Sequence, residues 1–218
     1  MTVSRLVKPH WIAILALGIP DPTAARARPV PSGACEIHVW RSARLNSLTE
    51  GAIWNNVIDS AITPHGPRVT ERAVPRSALD PEEQRQHLKT INFAVLLKTP
   101  DAVVTIHADE SKRRATMPVG GRQTISTAAC YVELTIAKNF FSRSPMAGRM
   151  LRSLVILDNF GSQQLPERSF VAWADTRLHI FPAKRPKDEP AAAAELAAAF
   201  KANLNKFIGY ALAPPRKT

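Results

Sequence analysis

Cys130-Tyr131-Val132-Glu133-Leu134-Thr135-Ile136 (CYVELTI) is the segment on which the fold assignment turns. Successive side chains of a strand point to opposite faces. Cys130, Val132, Leu134 and Ile136 therefore form one apolar face, and Tyr131, Glu133 and Thr135 point the other way. The alternation predicts the central strand of a sheet that carries its core on one side.

Working outward, Leu154 to Leu157 reads as a further strand, closed by a turn at Asp158-Asn159-Phe160-Gly161. Ser169 to Phe181 reads as a long last strand, with Phe170, Ala172, Ala174, Thr176, Leu178 and Ile180 on one face. Upstream, Glu36 to Trp40 alternates directly after Cys35, and Ala102 to Ala108 follows the boundary residue Asp101. Ser47-Leu48-Thr49-Glu50 has the form of a capping box and predicts a helix carrying Trp54, Val57, Ile58, Ala61 and Ile62, ended by Pro64 to Pro67. Asp80-Pro81-Glu82-Glu83 predicts a second helix start, running to about Asn92 with Phe93 to Leu97 as its continuation. A third helix follows Pro186, capped by Asp188 or Glu189, with Leu196, Phe200, Leu204, Phe207 and Ile208 as its buried stripe and Gly209 as its stop. Strands grouped after helices predict an α+β fold: a mainly antiparallel sheet with helices on one face, as a single domain over residues 35–212 and a basic tail at 213–218.

The first 27 residues divide as a secretory signal does. Arg5 and Lys8 precede the apolar run Trp11 to Ile19, Pro20 and Pro22 break it, and Ala25-Arg26-Ala27 offers small residues for cleavage near Ala27. A membrane span needs roughly 20 apolar residues, about twice this run. Export followed by a linker at 28–34 is therefore expected, giving a periplasmic or secreted protein that is not integral to a membrane. Lipid anchoring at Cys35 is disfavoured, because Ser32 stands where a leucine is usual and the cysteine lies far beyond the apolar run. Cys35 and Cys130 are the chain's two cysteines, and an even pair in an exported domain is expected to form a disulfide.

The chain carries 29 basic and 18 acidic residues. The signal takes Arg5, Lys8 and Arg26 against Asp21, which leaves 26 basic and 17 acidic residues, a net charge of +9. Such a charge favours anionic partners. The loop Lys112, Arg113, Arg114 through Gly120-Gly121-Arg122 combines flexible glycines with guanidinium groups suited to phosphate or carboxylate. Phe140 and Phe141, following the central strand beside Arg143 and Arg149, form a second candidate binding element if their rings are exposed. Aromatics are not interleaved among the loop charges, which argues against a stacking platform for nucleic acid.

His107-Ala108-Asp109-Glu110 places an imidazole and two carboxylates at a strand end, but no second ligand cluster accompanies it, so no metal is expected. The chain has no nucleophile-elbow, Walker, dinucleotide-glycine, HExxH or CxxC motif, so no cofactor is expected and no catalytic residue is assigned.

CEIHVW at the mature start, CYVEL, the segment W-x-x-T-R-L-x-I-F-P from Trp173 to Pro182, and Ala199-Phe200-x-x-Asn203 resemble exported proteins of sphingomonad-type alphaproteobacteria. That family has no established activity, so the resemblance implies export and nothing about chemistry. The order of elements is more loosely similar to small periplasmic α+β modules of the cell envelope. The expectation is a non-catalytic envelope binding or assembly protein, whose partner is an envelope protein or an anionic glycan or lipid surface. An envelope-polymer hydrolase and a binder of extracellular nucleic acid are the alternatives.

Overall fold

The computed structural model describes residues 34–49, 74–75, 77–111, 120–144 and 146–214. The expected signal, residues 28–33 of the linker, most of the helix expected after Ser47, Lys112, Arg113 and Arg114, and residues 215–218 of the basic tail lie outside these residues.

The described elements are β1 (Glu36–Arg41), β2 (Asn46–Thr49), α1 (Pro81–Lys89), the short α2 (Phe93–Leu96), β3 (Val103–Glu110), β4 (Tyr131–Ser144), β5 (Gly148–Gly161), β6 (Arg168–Leu178) and α3 (Glu189–Leu212). They make one sheet in the order β3-β1-β4-β5-β6, with β2 beside the second half of β4. The pairings β1–β3, β1–β4 and β2–β4 are parallel, whereas β4–β5 and β5–β6 are antiparallel. The expectation of a mainly antiparallel sheet is thus corrected to a mixed one in an α+β fold. The long connections after β1 and after β3 bring both β3 and β4 alongside β1 pointing the same way, which a tight hairpin could not do.

Three further boundaries are corrected. Asn46–Thr49 is a strand rather than a helix cap. Asp158 to Phe160 continue β5, and the turn lies beyond Gly161. Gly209 lies inside α3, which runs on to Leu212. A lone glycine costs a helix only about 1 kcal/mol, less than the burial of Ile208 and Ala211 on either side of it returns.

One apolar core lies between the sheet and the helices. Ile37 and Val39 from β1, Val132, Leu134 and Ile136 from β4, and Leu151, Val155 and Leu157 from β5 meet Leu88 of α1 and Leu196, Phe200, Leu204 and Phe207 of α3. α3 lies across β5 and β6, and α1 packs against β1, β3 and α3.

A bulge in β4 changes which residues reach this core. Ile136 pairs with Val155 and Lys138 with Leu154, so Ala137 is the extra residue. Before it the even-numbered positions face inward; after it Asn139 and Phe141 do. Without the bulge, Lys138 and Phe140 would be driven into the core, and an unpaired ammonium there is prohibitive. The sheet yields one ladder position instead.

Asn139 enters the core with its polar partners. Its Nδ2 donates to Ser42 Oγ at 2.9 Å and to Gln84 Oε1 at 3.3 Å, and its Oδ1 accepts from Ser153 Oγ at 2.8 Å. Asn203 of α3 donates to Ser153 Oγ (3.1 Å) and to the Leu151 carbonyl (3.0 Å), and accepts from Thr176 Oγ1 (2.8 Å). Gln84 of α1 donates to the carbonyls of Ala43 and Leu79. This string joins both long helices to β4, β5 and β6 through the interior.

The turn after β6 is held from both sides. Glu195 accepts the backbone N–H groups of His179, Ile180 and Phe181 at 2.6–2.8 Å. Arg149 donates to the carbonyls of the same three residues. Burial pushes the Glu195 carboxyl upward, but the three N–H groups outweigh it and hold it below its ordinary value. Its contribution to stability is therefore present above the unfolded pKa and lost as pH falls through the lowered folded one.

Replacing Asn203 by Leu keeps the branching of the side chain but leaves the Leu151 carbonyl and the Ser153 and Thr176 hydroxyls short of partners. The expected loss is about 2–4 kcal/mol, read as a lower urea midpoint at an unchanged m value.

Candidate functional site

The sheet face away from the helices carries two groups of side chains. The first lies where β3, β1 and β4 run parallel. Register places Glu36, His38 and Trp40 of β1 level with Tyr131, Glu133 and Thr135 of β4, and with Val103, Thr105 and His107 of β3. Ile37, Val39, Val132 and Leu134 occupy the core face, so the alternation that builds the core also gathers these polar and aromatic side chains on the opposite side.

His38 Nδ1 lies 2.8 Å from His107 Nε2, and His38 Nε2 lies 3.3 Å from Glu36 Oε2. The His107 ring stacks on Trp40 at 4.2 Å with planes 2° apart, and His38 sits 4.8 Å from the Tyr131 ring. Burial, followed by the neighbouring His38, pushes the His107 imidazole below its ordinary pKa, while Glu133 and Asp109 pull it the other way.

Glu133 is fully buried. Its carboxylate accepts the Gln123 backbone N–H (2.6 Å), the Gln123 side-chain amide (2.9 Å) and the Tyr131 hydroxyl (2.9 Å). Because Tyr131 gives its proton to Glu133, it accepts from Thr124 Oγ1 at 2.6 Å. Burial and the adjacent Glu133 hold the Tyr131 phenol protonated far above its usual range. Residues 120–130 therefore form a loop fastened over the first group by a buried acid.

Arg122 closes that loop. Its guanidinium donates to the carbonyls of Ser126, Ala128, Gly161 and Gln163 and lies over the Tyr131 ring, 4.6 Å from its centroid. Gly161 has φ +51°, a left-handed backbone conformation that favours glycine where Arg122 attaches.

The second group sits on β4, β5 and β6. The bulge turns Phe140 outward and Phe141 inward, where Phe141 is 3% exposed and packs edge-on against Phe181. Of the two expected aromatics only Phe140 reaches the outer face. There it meets Trp173, with ring centroids 5.9 Å apart, and the Arg152 guanidinium lies 5.3 Å from the indole centroid. Trp173 is 42% exposed and Val171, beside it on β6, 45%.

Among the expected binding residues, the structure brings Arg122 into a set of backbone contacts and places Phe140, half-buried, against the exposed Trp173. Arg149, expected beside the phenylalanines, instead holds the turn after β6. Sequence reasoning missed Arg152, which no strand pattern singled out, and missed the pairing of His38 with His107, which lie 69 residues apart. From the HADE segment, His107 turns toward His38 while Asp109 and Glu110 are exposed. Among the described residues, no three His, Cys, Asp or Glu side chains are placed to hold a metal ion.

Cys35 and Cys130 form a disulfide. Both immediately precede strands, and Glu36 and Tyr131 are register partners. Among the described residues no helix is long and apolar enough to cross a membrane.

No family model matches the chain, and no curated protein matches it. Solved structures that align with the chain include a Xanthomonas campestris protein of the DUF330 family (12% identity, TM-score 0.37, covering 85% of this chain and 88% of that one). A neuraminyllactose-binding hemagglutinin homologue from Helicobacter pylori aligns at 8% identity and TM-score 0.36, over 84% and 86% of the two chains. A hypothetical protein from Chlamydia trachomatis aligns at 10% identity and TM-score 0.33, over 83% of this chain and all of that one. At these scores the likeness carries no argument about function, and the resemblance to sphingomonad exported proteins rests on the quoted segments alone.

The environment of Tyr131 has a spectroscopic consequence. In a Tyr210→Phe chain, phenolate absorbance is expected to stay flat above pH ~10 and to rise only as the protein unfolds. The raised pKa makes the Tyr131 contribution complete below the unfolded value and lost as pH climbs toward the folded one. A free titration near the ordinary tyrosine value would show that the loop does not seal the phenol.

Proposed function

We propose that this chain is an exported, disulfide-bridged, non-catalytic binding or assembly protein of the cell envelope, which docks an anionic partner on the sheet face around Trp173. The observation that carries this reading is the exposed Trp173 ring, flanked by the half-buried Phe140 and Arg152. A large indole left at a protein surface, with a guanidinium over its ring, is the composition of a binding hot spot: apolar area for desolvation and a fixed positive charge for direction. The net positive charge of the chain adds long-range attraction to an anionic glycan or lipid surface. The Cys35–Cys130 bridge supports an oxidising compartment, and the signal-like first 27 residues supply the route to it.

A second reading, hydrolysis of an envelope polymer, is favoured by one observation. Glu133 and Asp158 are fully buried register partners on β4 and β5, and Glu133 is also level with His38 of β1. Paired acids of this kind serve general acid–base catalysis in many sites. Here, however, Glu133 is committed to Gln123 and Tyr131 beneath the loop, so a substrate would first have to displace three hydrogen bonds.

The docking face is tested by co-sedimentation of the mature chain with phosphatidylglycerol vesicles, with phosphatidylcholine vesicles and with polygalacturonate. Binding to at least one anionic probe is expected, weakening with salt, and Trp173→Ala or Arg152→Glu is expected to reduce it about tenfold, a loss near 1.4 kcal/mol, at unchanged melting temperature. Equal binding by wild type and both variants would remove the face from the proposal. Intact mass from fractionated cells tests export: a species starting at Arg28 and gaining two protons on reduction is expected, and an uncleaved cytoplasmic chain would overturn it.

A further inference from the structure

We propose that His38 and His107 form a two-proton latch on the outer strand β3. The pair holds β3 against β1 while it carries no added proton or one, and releases when both rings are charged.

The proton count follows from the geometry. With both rings neutral, only one arrangement satisfies every group: His107 Nε2–H donates to His38 Nδ1, and His38 Nε2–H donates to the Glu36 carboxylate. The opposite tautomer would leave His38 Nε2 as a lone pair facing the carboxylate. One added proton is accommodated by reversing the first bond. His38 then carries both N–H groups and donates to His107 Nε2 and to Glu36, while His107 holds its hydrogen on Nδ1. A second proton leaves two N–H groups facing each other across 2.8 Å with no acceptor between them, on two like charges. The rings must part, and the stack of His107 on Trp40 goes with them.

The surroundings set where the second proton enters. Burial and the charge of His38 oppose it at His107. From β4 the Glu133 carboxylate favours it, as does Asp109 on β3. Asp158 lies one strand beyond Glu133. Glu110 is paired with Arg41 at 3.8 Å, Arg122 lies over Tyr131, and Tyr131 itself stays neutral. Glu36 lies against His38 Nε2, while His107 meets the other ring nitrogen, Nδ1. The second step therefore falls below the ordinary histidine value of 6.5. His107 contributes stability above that value, and the contribution is lost as pH falls through its lowered folded pKa.

β3 is where a broken contact matters most. It ends the sheet and has β1 as its sheet neighbour on one side only, so its backbone ladder is the first to open when the side-chain clasp is lost.

Amide exchange in the full disulfide-bonded chain, expressed as protection factors, tests the latch. Between pH ~7 and pH ~4.5 the protection of Thr105 and His107, whose N–H groups face β1 as that of Val103 does, is expected to drop about tenfold or more, as one unit of coupling between protonation and opening requires, while β5 amides keep theirs. His107→Phe keeps a ring against Trp40 but takes no proton, and is expected to remove that pH dependence. Ring-nitrogen shifts of the unmodified protein give a check that needs no variant. Protonated Nε2 on both rings at neutral pH and two coupled titration steps are expected. Independent titration of the two rings, or β3 and β5 losing protection together, would overturn the proposal.

Discussion

A single string of buried amides and hydroxyls, running Gln84, Ser42, Asn139, Ser153, Asn203, Thr176, is the constraint on which the rest of this fold depends. Each of these groups gives up water on burial, and each recovers the loss only if its neighbour stands at hydrogen-bonding distance. Apolar contacts between α3 and the sheet would survive a shift of the helix by one turn with modest repacking. The Asn203 bonds would not, because three groups on two strands converge on one side chain. The core supplies the attraction between the layers, and the polar string selects one register for both helices.

The bulge at Ala137 is part of the same constraint. It delivers Asn139 to the string and in the same step sends Phe140 outward, so the inner polar network and the outer aromatic group have one structural cause. An alternating strand through residues 130–144 would have buried Lys138 and Phe140 and exposed Asn139 and Phe141. The exchange of one phenylalanine for another in the core leaves apolar burial nearly unchanged, while the swap of a lysine for an asparagine with partners decides the matter. The outer aromatic group around Trp173 is thus a consequence of how the interior satisfies its polar groups.

These causes explain what the sequence made legible. Alternation marked β1, β4 and β6, the proline and acidic starts marked α1, and helical spacing marked the buried stripe of α3, because each signal is local and repeats over several residues. The same local logic misled at Ser47 to Thr49, where a capping-box pattern is outweighed by parallel pairing with Phe140 to Arg143 of β4. It also stopped β5 too early, since Asp158-Asn159-Phe160-Gly161 has turn composition but buries Asp158 and Phe160. Parallel pairing around β1 was invisible for a related reason: strand direction depends on where long connections return. Of the outer-face groups, Phe140 was recognisable as a candidate. The His38–His107 pair and the Arg152–Trp173 contact were not, because each joins residues distant in sequence with no motif between them.

The disulfide takes its meaning from these long connections. Cys35 and Cys130 stand at the points where the chain enters β1 and re-enters β4, and the ladder is already continuous there through Glu36 N–H to the Cys130 carbonyl and Val103 N–H to the Cys35 carbonyl. The strands do not need the bridge to find their register. What it adds is the removal of unfolded-state freedom over a separation of 95 residues, worth about 4–5 kcal/mol in the chain-entropy model, against total stabilities of about 5–15 kcal/mol for domains of this kind. It also anchors one end of the loop over Glu133 and Tyr131, while Arg122 anchors the other on Gly161 and Gln163. Reduction would leave that loop held by Arg122 and by its bonds to Glu133 and Tyr131 alone. The loop would then loosen at its Cys130 end first, which is the end adjoining β1 and the histidine pair.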